Sequence, residues 1–273
     1  MKHFITFLII FFISLGSCYA ATPEGGGGSV LKISIPKLEL SLTRGERHAG
    51  EIEVENPTDK DIEVKVYVED WIYKPDAGGQ KDFGPAGTMP FSASKWITYA
   101  PSEVKLAPFS KKSVRYTVTV PQGASGGNYS VLFFECTIGS VPDPAEQGAF
   151  VRVAGRIGSL FLVRIKDTIE RKGEISLVKI WPPSGNAPME IETTFKNAGN
   201  VDVTLGGNLL IMDGEGKVVG RGDLAKMYTL PGNSSTRKTQ WVGRLPKGVY
   251  DVLLTYDLGE GKAIVKEEKI SIP

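Results

Sequence analysis

Cysteine and histidine are scarce: the 273 residues hold two of each. His3 and Cys18 fall within the first twenty positions, so a chain processed there keeps only His48 and Cys136. One thiol makes no internal disulfide. His48 sits in TRGERHAG, which reads as a solvated turn, and that leaves no imidazole for Ser-His-Asp or Cys-His chemistry. Nor is there a cluster of Cys and His with metal-ligand spacing. Charge of one sign is not in excess: 32 basic side chains face 31 acidic ones. A net charge of +1 gives no electrostatic reason to bind nucleic acid. After residue 20 no apolar run is long enough to span a membrane. No phosphate-cradling glycine loop opens a helix, and no stretch after residue 30 keeps a 3.6-residue apolar period. Acids such as Glu51, Glu53 and Glu55 share one parity of a strand and read as a solvated face, not as a glycosidase pair. The chain is therefore read as non-enzymatic, with no cofactor and no metal.

Glycine and proline are abundant instead, 32 and 17 residues, about 18% of the chain against roughly 12% in average proteins. Such punctuation suits many short strands. At 41% hydrophobic and 23% charged, the composition is globular, and the length suits two domains.

Residues 1–20, MKHFITFLIIFFISLGSCYA, have the layout of a secretory signal: Lys2, an apolar stretch from Phe4 to Ile13, then small residues. Two cleavage sites fit. Cys18-Tyr19-Ala20 ends as a small-x-small site. Leu15-Gly16-Ser17-Cys18 has the form of a lipobox, which would make Cys18 the lipidated first residue. Residues 21–29 are a Gly-rich flexible N-terminus, with four consecutive glycines at 25–28. Loss of residues 1–20 removes Lys2 and no acid, leaving the two signs balanced. The expected location is extracytoplasmic, in the periplasm or at the cell surface, with membrane attachment only through that lipid.

Period-two alternation fills the rest. Ile52, Val54, Ile62, Val64, Val66 and Val68 alternate with charges, as do Val114, Tyr116, Val118 and Val120. Cys136, in VLFFECTI, reads as a buried strand residue. The halves share a layout: EIEVENPTDKDIEV (51–64) parallels EIETTFKNAGNVDV (190–203), each a strand, an Asn, a short turn and a strand. The fold class is therefore all-β, two immunoglobulin-like sandwiches in tandem at 30–167 and 173–273. Residues 73–95 break the pattern and read as a long inserted loop. Its Phe83, Met89 and Phe91 would either form a contact surface or pin the loop to the sandwich.

The first domain resembles the N-terminal domain of the PapD-like periplasmic pilus chaperones. The resemblance lies in IEVENPTDKDIEVKVYVEDW, WITYAPSEVKLAPFSKKSVRYTV and the long last strand AFVRVAGRIGSLFLVRI. It extends to surface proteins of Gram-positive bacteria with paired sandwiches, and the second domain resembles a generic bacterial Ig-like module. The chaperone resemblance implies a protein partner, a pilus or surface subunit, bound by strand addition at that last strand. It also implies a basic pair that anchors the partner's terminal carboxylate. No Arg stands in the first strand, where only Lys32 and Lys37 are basic; Arg156 is near the second anchor.

The strand at 149–166 has two parities. Val151, Val153, Ile157, Phe161, Val163 and Ile165 should face the core. Phe150, Arg152, Ala154, Arg156, Leu160 and Leu162 form the candidate partner-binding row, if the domain itself does not cover them. On that reading a charge at 153 should wreck the fold and a charge at 162 should spare it. The alternative function is a permanent structural or adhesive surface protein. The sequence leaves the partner and the oligomeric state open.

Overall fold

The computed structural model describes residues 30–142, 150–185 and 187–273. The signal-like segment, Cys18 and the Gly-rich run lie outside these described residues.

The alternating segments form strands that build two sandwiches. In the first, one sheet holds β1 (Lys32–Ile33), β3 (Arg47–Glu55), β6 (Ile97–Ala100) and β8 (Lys111–Thr119), in the order β1-β3-β8-β6. The facing sheet holds β2 (Lys37–Leu42), β4 (Ile62–Tyr73), β5 (Lys81–Pro85), β7 (Glu103–Leu106), β9 (Gly127–Pro142) and β10 (Phe150–Ile165). Its order is β2-β10-β9-β4-β5, with β7 also on β4. A leading strand that changes sheets, opposite a G-F-C order, is the immunoglobulin arrangement. Ile52, Val54, Val64, Val66, Val114, Val118, Leu132, Phe134, Phe161 and Val163 fill the space between the sheets and are at most 2% exposed.

The second sandwich pairs β11 (Gly173–Trp181), β12 (Met189–Asn197) and β15 (Ser234–Trp241) in that order. Its other sheet runs β14 (Val218–Thr229), β13 (Val203–Met212), β16 (Gly248–Gly259), β17 (Lys262–Ile272). Ile191, Phe195, Leu205, Leu209, Ile211, Val252 and Leu254 make its core.

The repeated Asn has one job in both halves. Asn56 is fully buried; its amide donates to Lys60 O (2.7 Å) and Ala107 O (3.0 Å), and its Oδ1 accepts from Thr58 N (2.9 Å). Asn197, also buried, donates to Val201 O (2.9 Å) and accepts from Gly199 N (3.0 Å). Each side chain satisfies the backbone of the turn between two core strands, where an unpaired polar group would cost stability.

Two expectations need correction. His48 is not in a turn; it lies half-buried in β3, its ring 6.2 Å from that of Tyr116. The 73–95 insert is not an irregular loop. β4 continues to Tyr73 and β5 folds back on it, pairing Tyr73 with Lys81 and Glu69 with Pro85. The turn that follows is tied down by Asp70, a fully buried carboxylate. It accepts from Thr88 N (2.9 Å), Met89 N (3.1 Å) and the Ser92 hydroxyl (2.6 Å). Phe83 packs edge-on against Phe133, centroids 5.0 Å apart, which pins the hairpin to the sheet.

Candidate functional site: the free edge of β10 and the cleft at its end

β9 and β10 form a hairpin that pairs along its whole length, from Phe150 opposite Pro142 to Arg164 opposite Gly127. The other edge of β10 is only half used. β2 pairs with it in parallel from Leu160 opposite Lys37 to Ile165 opposite Leu42. Among the described residues no strand pairs with that edge over 150–159.

The direction of the free groups follows from strand geometry. Leu160 N–H donates to Pro36 O at 3.0 Å, so residue 160 points its backbone toward β2. Successive residues alternate, so the N–H and C=O of Gly158, Arg156 and Ala154 point the same way, to the side on which no described strand pairs with them. The register shift opposite Val153/Ala154 leaves β10 continuous, because the extra residue is Ile138 on β9. Ile138 is 51% exposed, and its side chain lies over Gly155, where a Cβ would come within 2.6 Å of its Cδ1.

The side chains expected to bind a partner fall into three settings. Phe150 and Arg152 begin the strand, opposite Pro142 and Ser140, and Ala154 is exposed. Arg156 is engaged: its Nη1 donates to Glu69 (3.1 Å) and the Tyr67 hydroxyl (3.2 Å), and its guanidinium stacks 4.1 Å from the Phe133 centroid. It is not a bare cation awaiting a carboxylate. Leu160 is half-buried and Leu162 only 1% exposed, contrary to the expectation of an open face. Leu162 packs with Trp71, Tyr129, Val131 and Phe133 against Leu230 of the second sandwich. The expectation of a core-facing Val153 also fails: it is 37% exposed and lies outside the first core, which along β10 begins at Ile157. Ile157, Phe161, Val163 and Ile165 do pack on the core.

Where the free edge ends, the sandwiches meet. Tyr129 OH accepts from Asp202 N (2.6 Å) and lies 3.2 Å from its carboxylate. Arg164 grips that carboxylate through Nε (3.0 Å) and Nη2 (2.7 Å) and reaches Glu39 through Nη1 (3.0 Å). These bonds hold the Arg164 proton more firmly than usual, and burial pushes the Tyr129 phenol far up. Beside this network lies a cavity of about 240 Å³, lined by Lys37, Trp71, Tyr73, Lys81, Leu160, Leu162, Thr204 and Tyr228 among others. Lys37 pairs with Glu39. Lys81 has no carboxylate partner among the described residues; it rests 5.6 Å from the Trp71 centroid and 5.4 Å from that of Tyr73. Burial, then the charge of Lys37, pulls its pKa down. Both ammonium groups line one small, half-polar space, so an anion placed there gains from Lys81 and, against the pull of Glu39, from Lys37.

Sequence reasoning missed Lys81 and Asp202. Lys81 reaches the cleft only because the insert is a hairpin, and Asp202 arrives from the other sandwich. No local pattern marks either.

No protein-family model matches the chain, and no curated protein sequence matches it. Fimbrial chaperones recur among solved structures similar to it. One is the class 5 fimbriae chaperone CfaA, 14% identical at a TM-score of 0.44, the match covering 89% of this chain and 99% of that one. Another is the E. coli chaperone DraB, 14% identical at 0.39, covering 89% and 98%. A third is a chain of the CsuC-CsuE chaperone–tip subunit complex of Acinetobacter baumannii, 15% identical at 0.40, covering 88% and 98%. This is distant likeness of fold; the two-sandwich assignment rests on the strand order above. Among the described residues no helix is long and apolar enough to cross a membrane.

Proposed function

We propose that this chain is an exported, non-enzymatic binding protein that holds an extended segment of another protein, chaperone-like, by strand addition to β10. The observation that carries the reading is the edge at 150–159, with which no described strand pairs, and its row of outward N–H and C=O groups. Exposed strand edges are templates for pairing, and β-augmentation uses them for affinity while side-chain pockets give specificity.

The edge also has an end. A segment laid on it in parallel with β10 runs toward Leu160 and stops where β2 occupies the next position. Its C-terminal end then lies beside Lys37 and the cavity that holds Lys81. Lys81, with no carboxylate partner among the described residues, is the cation suited to a terminal carboxylate; Lys37 stands beside it but is paired with Glu39, as Arg156 is with Glu69. A surface subunit during assembly is a partner with such a segment. Export rests on residues 1–20 and lipidation on Cys18; the mass of the N-terminus of protein from its own host decides both.

The test uses a ten-residue alternating Val/Thr peptide, with a free or an amidated C-terminus, added to isotopically labelled protein. Exchange protection should rise at the amides of Ala154, Arg156 and Gly158, and amidation should weaken binding about tenfold, roughly 1.4 kcal/mol. Ala154→Pro removes one outward donor and leaves the β9 ladder intact, so it should abolish the protection with little loss of stability. Protection confined to other strands, or binding unaltered by Ala154→Pro, would refute strand addition at this edge.

A further inference from the structure

We infer that the tip of the β4–β5 hairpin, residues 74–80, is a strap that fixes the second sandwich against the first and so sets the width of the Lys37–Lys81 cleft. The link to the cleft rests on the function proposed above; the strap itself does not.

The tip is short and conformationally costly. Within it Asp76, Gly78 and Gly79 all have positive φ, at 56°, 66° and 88°. For Asp76 that conformation costs energy that something must hold in place. Lys74 N–H to Gln80 O (2.8 Å) and Gln80 N–H to Ala77 O (3.2 Å) close the turn. What it gains lies across the interface. Asp76 Oδ1 accepts from the backbone N–H of Thr236 at 2.6 Å. Thr236 belongs to β15, the edge strand of its sheet, and pairs on its other side with Thr194. The strap therefore takes up an edge donor of the second sandwich. At the base of the hairpin Tyr73 packs on Tyr228, centroids 5.6 Å apart. Gly79 lies flat on the same Tyr228 ring, so close that a Cβ would sit 2.9 Å from it.

The strap is also a wall of the cleft. Gly78 and Gly79 line the cavity together with Lys37, Lys81 and Tyr228. The Gly79 carbonyl accepts from Lys81 Nζ at 3.3 Å, so the tip steers the cation directly. If Asp76 releases Thr236, the Tyr228 side of the cavity is held to the Lys81 side by the packing of Tyr73 and Gly79 on Tyr228 alone, with the Arg164–Asp202 pair as the pivot beside it. On this view Asp76 is a positioning residue: it touches no ligand and acts through Lys81 and Tyr228.

The experiment compares wild type, Asp76→Ala and Asp76→Asn as full chains. Residual dipolar couplings report the orientation of one sandwich against the other, and the free-to-amidated affinity ratio of the Val/Thr peptide reports the cleft. Asp76→Ala should scale down the couplings of the second sandwich relative to the first and raise Thr236 amide exchange at least tenfold. The peptide ratio should fall several-fold, with hydrogen exchange in both cores unchanged. Asp76→Asn keeps an acceptor oxygen and should restore all three. Unchanged couplings in Asp76→Ala overturn the strap. Changed couplings with an unchanged peptide ratio overturn its control of the cleft. If wild type binds neither peptide, the proposed function falls while the couplings still decide the strap.

Discussion

Leu162 and Val153 lie on the same strand, and their expected sensitivities are the reverse of what alternation alone implies. Leu162 is 1% exposed and walled by Trp71, Tyr129, Val131, Phe133 and Leu230. Four of these neighbours sit on paired strands, and the Trp71 indole is further fixed by its bond to Ser130 O at 3.0 Å. Such a site collapses poorly after truncation, so Leu162→Ala should cost about 3 kcal/mol, within the 2–5 kcal/mol common for buried leucines. Leu162→Asp puts a carboxylate in the same space without a partner and should cost at least as much. Val153 is 37% exposed and lies outside the first core. Val153→Asp loses some strand preference and little burial, so about 0.5–1 kcal/mol is the ceiling.

Thermal unfolding reads the difference. For a chain of this size 1 kcal/mol moves Tm by about 2–4 °C, so Leu162→Ala should lower it by roughly 6–12 °C. Val153→Asp should stay within about 2–4 °C by the same scale. Urea unfolding followed by tryptophan emission, which includes buried Trp71, should show the same order. A Val153→Asp shift equal to or larger than that of Leu162→Ala would refute the reasoning. It would mean that the odd face of β10 is covered as far as residue 153.

Two further outcomes are expected. Ser159 is fully buried in the first core, and its hydroxyl has no hydrogen-bond partner among the described residues, so Ser159→Ala should be neutral or stabilising by up to about 1 kcal/mol in urea unfolding; a loss greater than that would reveal a hydrogen bond at this hydroxyl. Burial pushes the Tyr73 phenol up to about 12 from an ordinary value near 10, so the fold keeps its proton where the unfolded chain has lost it. The stability this gives is complete below pH ~10 and drains away as pH rises toward 12. Tyr73→Phe should therefore flatten the decline in stability over that window, and an unchanged slope would count against the burial.

Much of the fold is legible because sandwich strands announce themselves locally. Ile52 and Val54, or Val114 and Val118, alternate with charges because one face meets the core and the other meets water. The paired Asn56 and Asn197 are legible too, since a buried amide at a strand end serves the same turn in each half. The candidate site is less so. Alternation shows which side chains share a face; it does not show how far a strand outruns its cover, which is why Val153 reads as core. Nor does it show cover supplied from afar. Leu162 is closed over in part by Leu230, a residue of the other sandwich with no sequence mark of that contact. In the insert, the signal for a hairpin is weak because the residues that hold it, Asp70 and the Thr88–Met89 backbone, act through hydrogen bonds and not through apolar periodicity.

The free edge and the cleft are joined by one local event, the change of sheet by the leading strand. β1 pairs with β3 up to Ile33, and β2 pairs with β10 from Lys37. The crossing runs through Pro36, which has no N–H to give to either sheet but whose carbonyl accepts from Leu160. Had the leading strand followed β10 throughout, residues 150–159 would be an interior ladder with no vacancy. The crossing leaves that edge without a partner strand among the described residues and sets Lys37 at its end. Elsewhere an exposed edge is defended in the usual manner: β17 carries Lys262, Lys266, Glu267, Glu268 and Lys269 along its length. Over 150–159, where no described strand pairs with this edge, the only charged residues in the sequence are Arg152 and Arg156, and Arg156 is turned onto Glu69 and the Phe133 ring. Ala154 is exposed, and Gly155 and Gly158 put no side chain of their own on that stretch. An edge left undefended on one strand, in a chain that protects another with charge, is what strand addition requires.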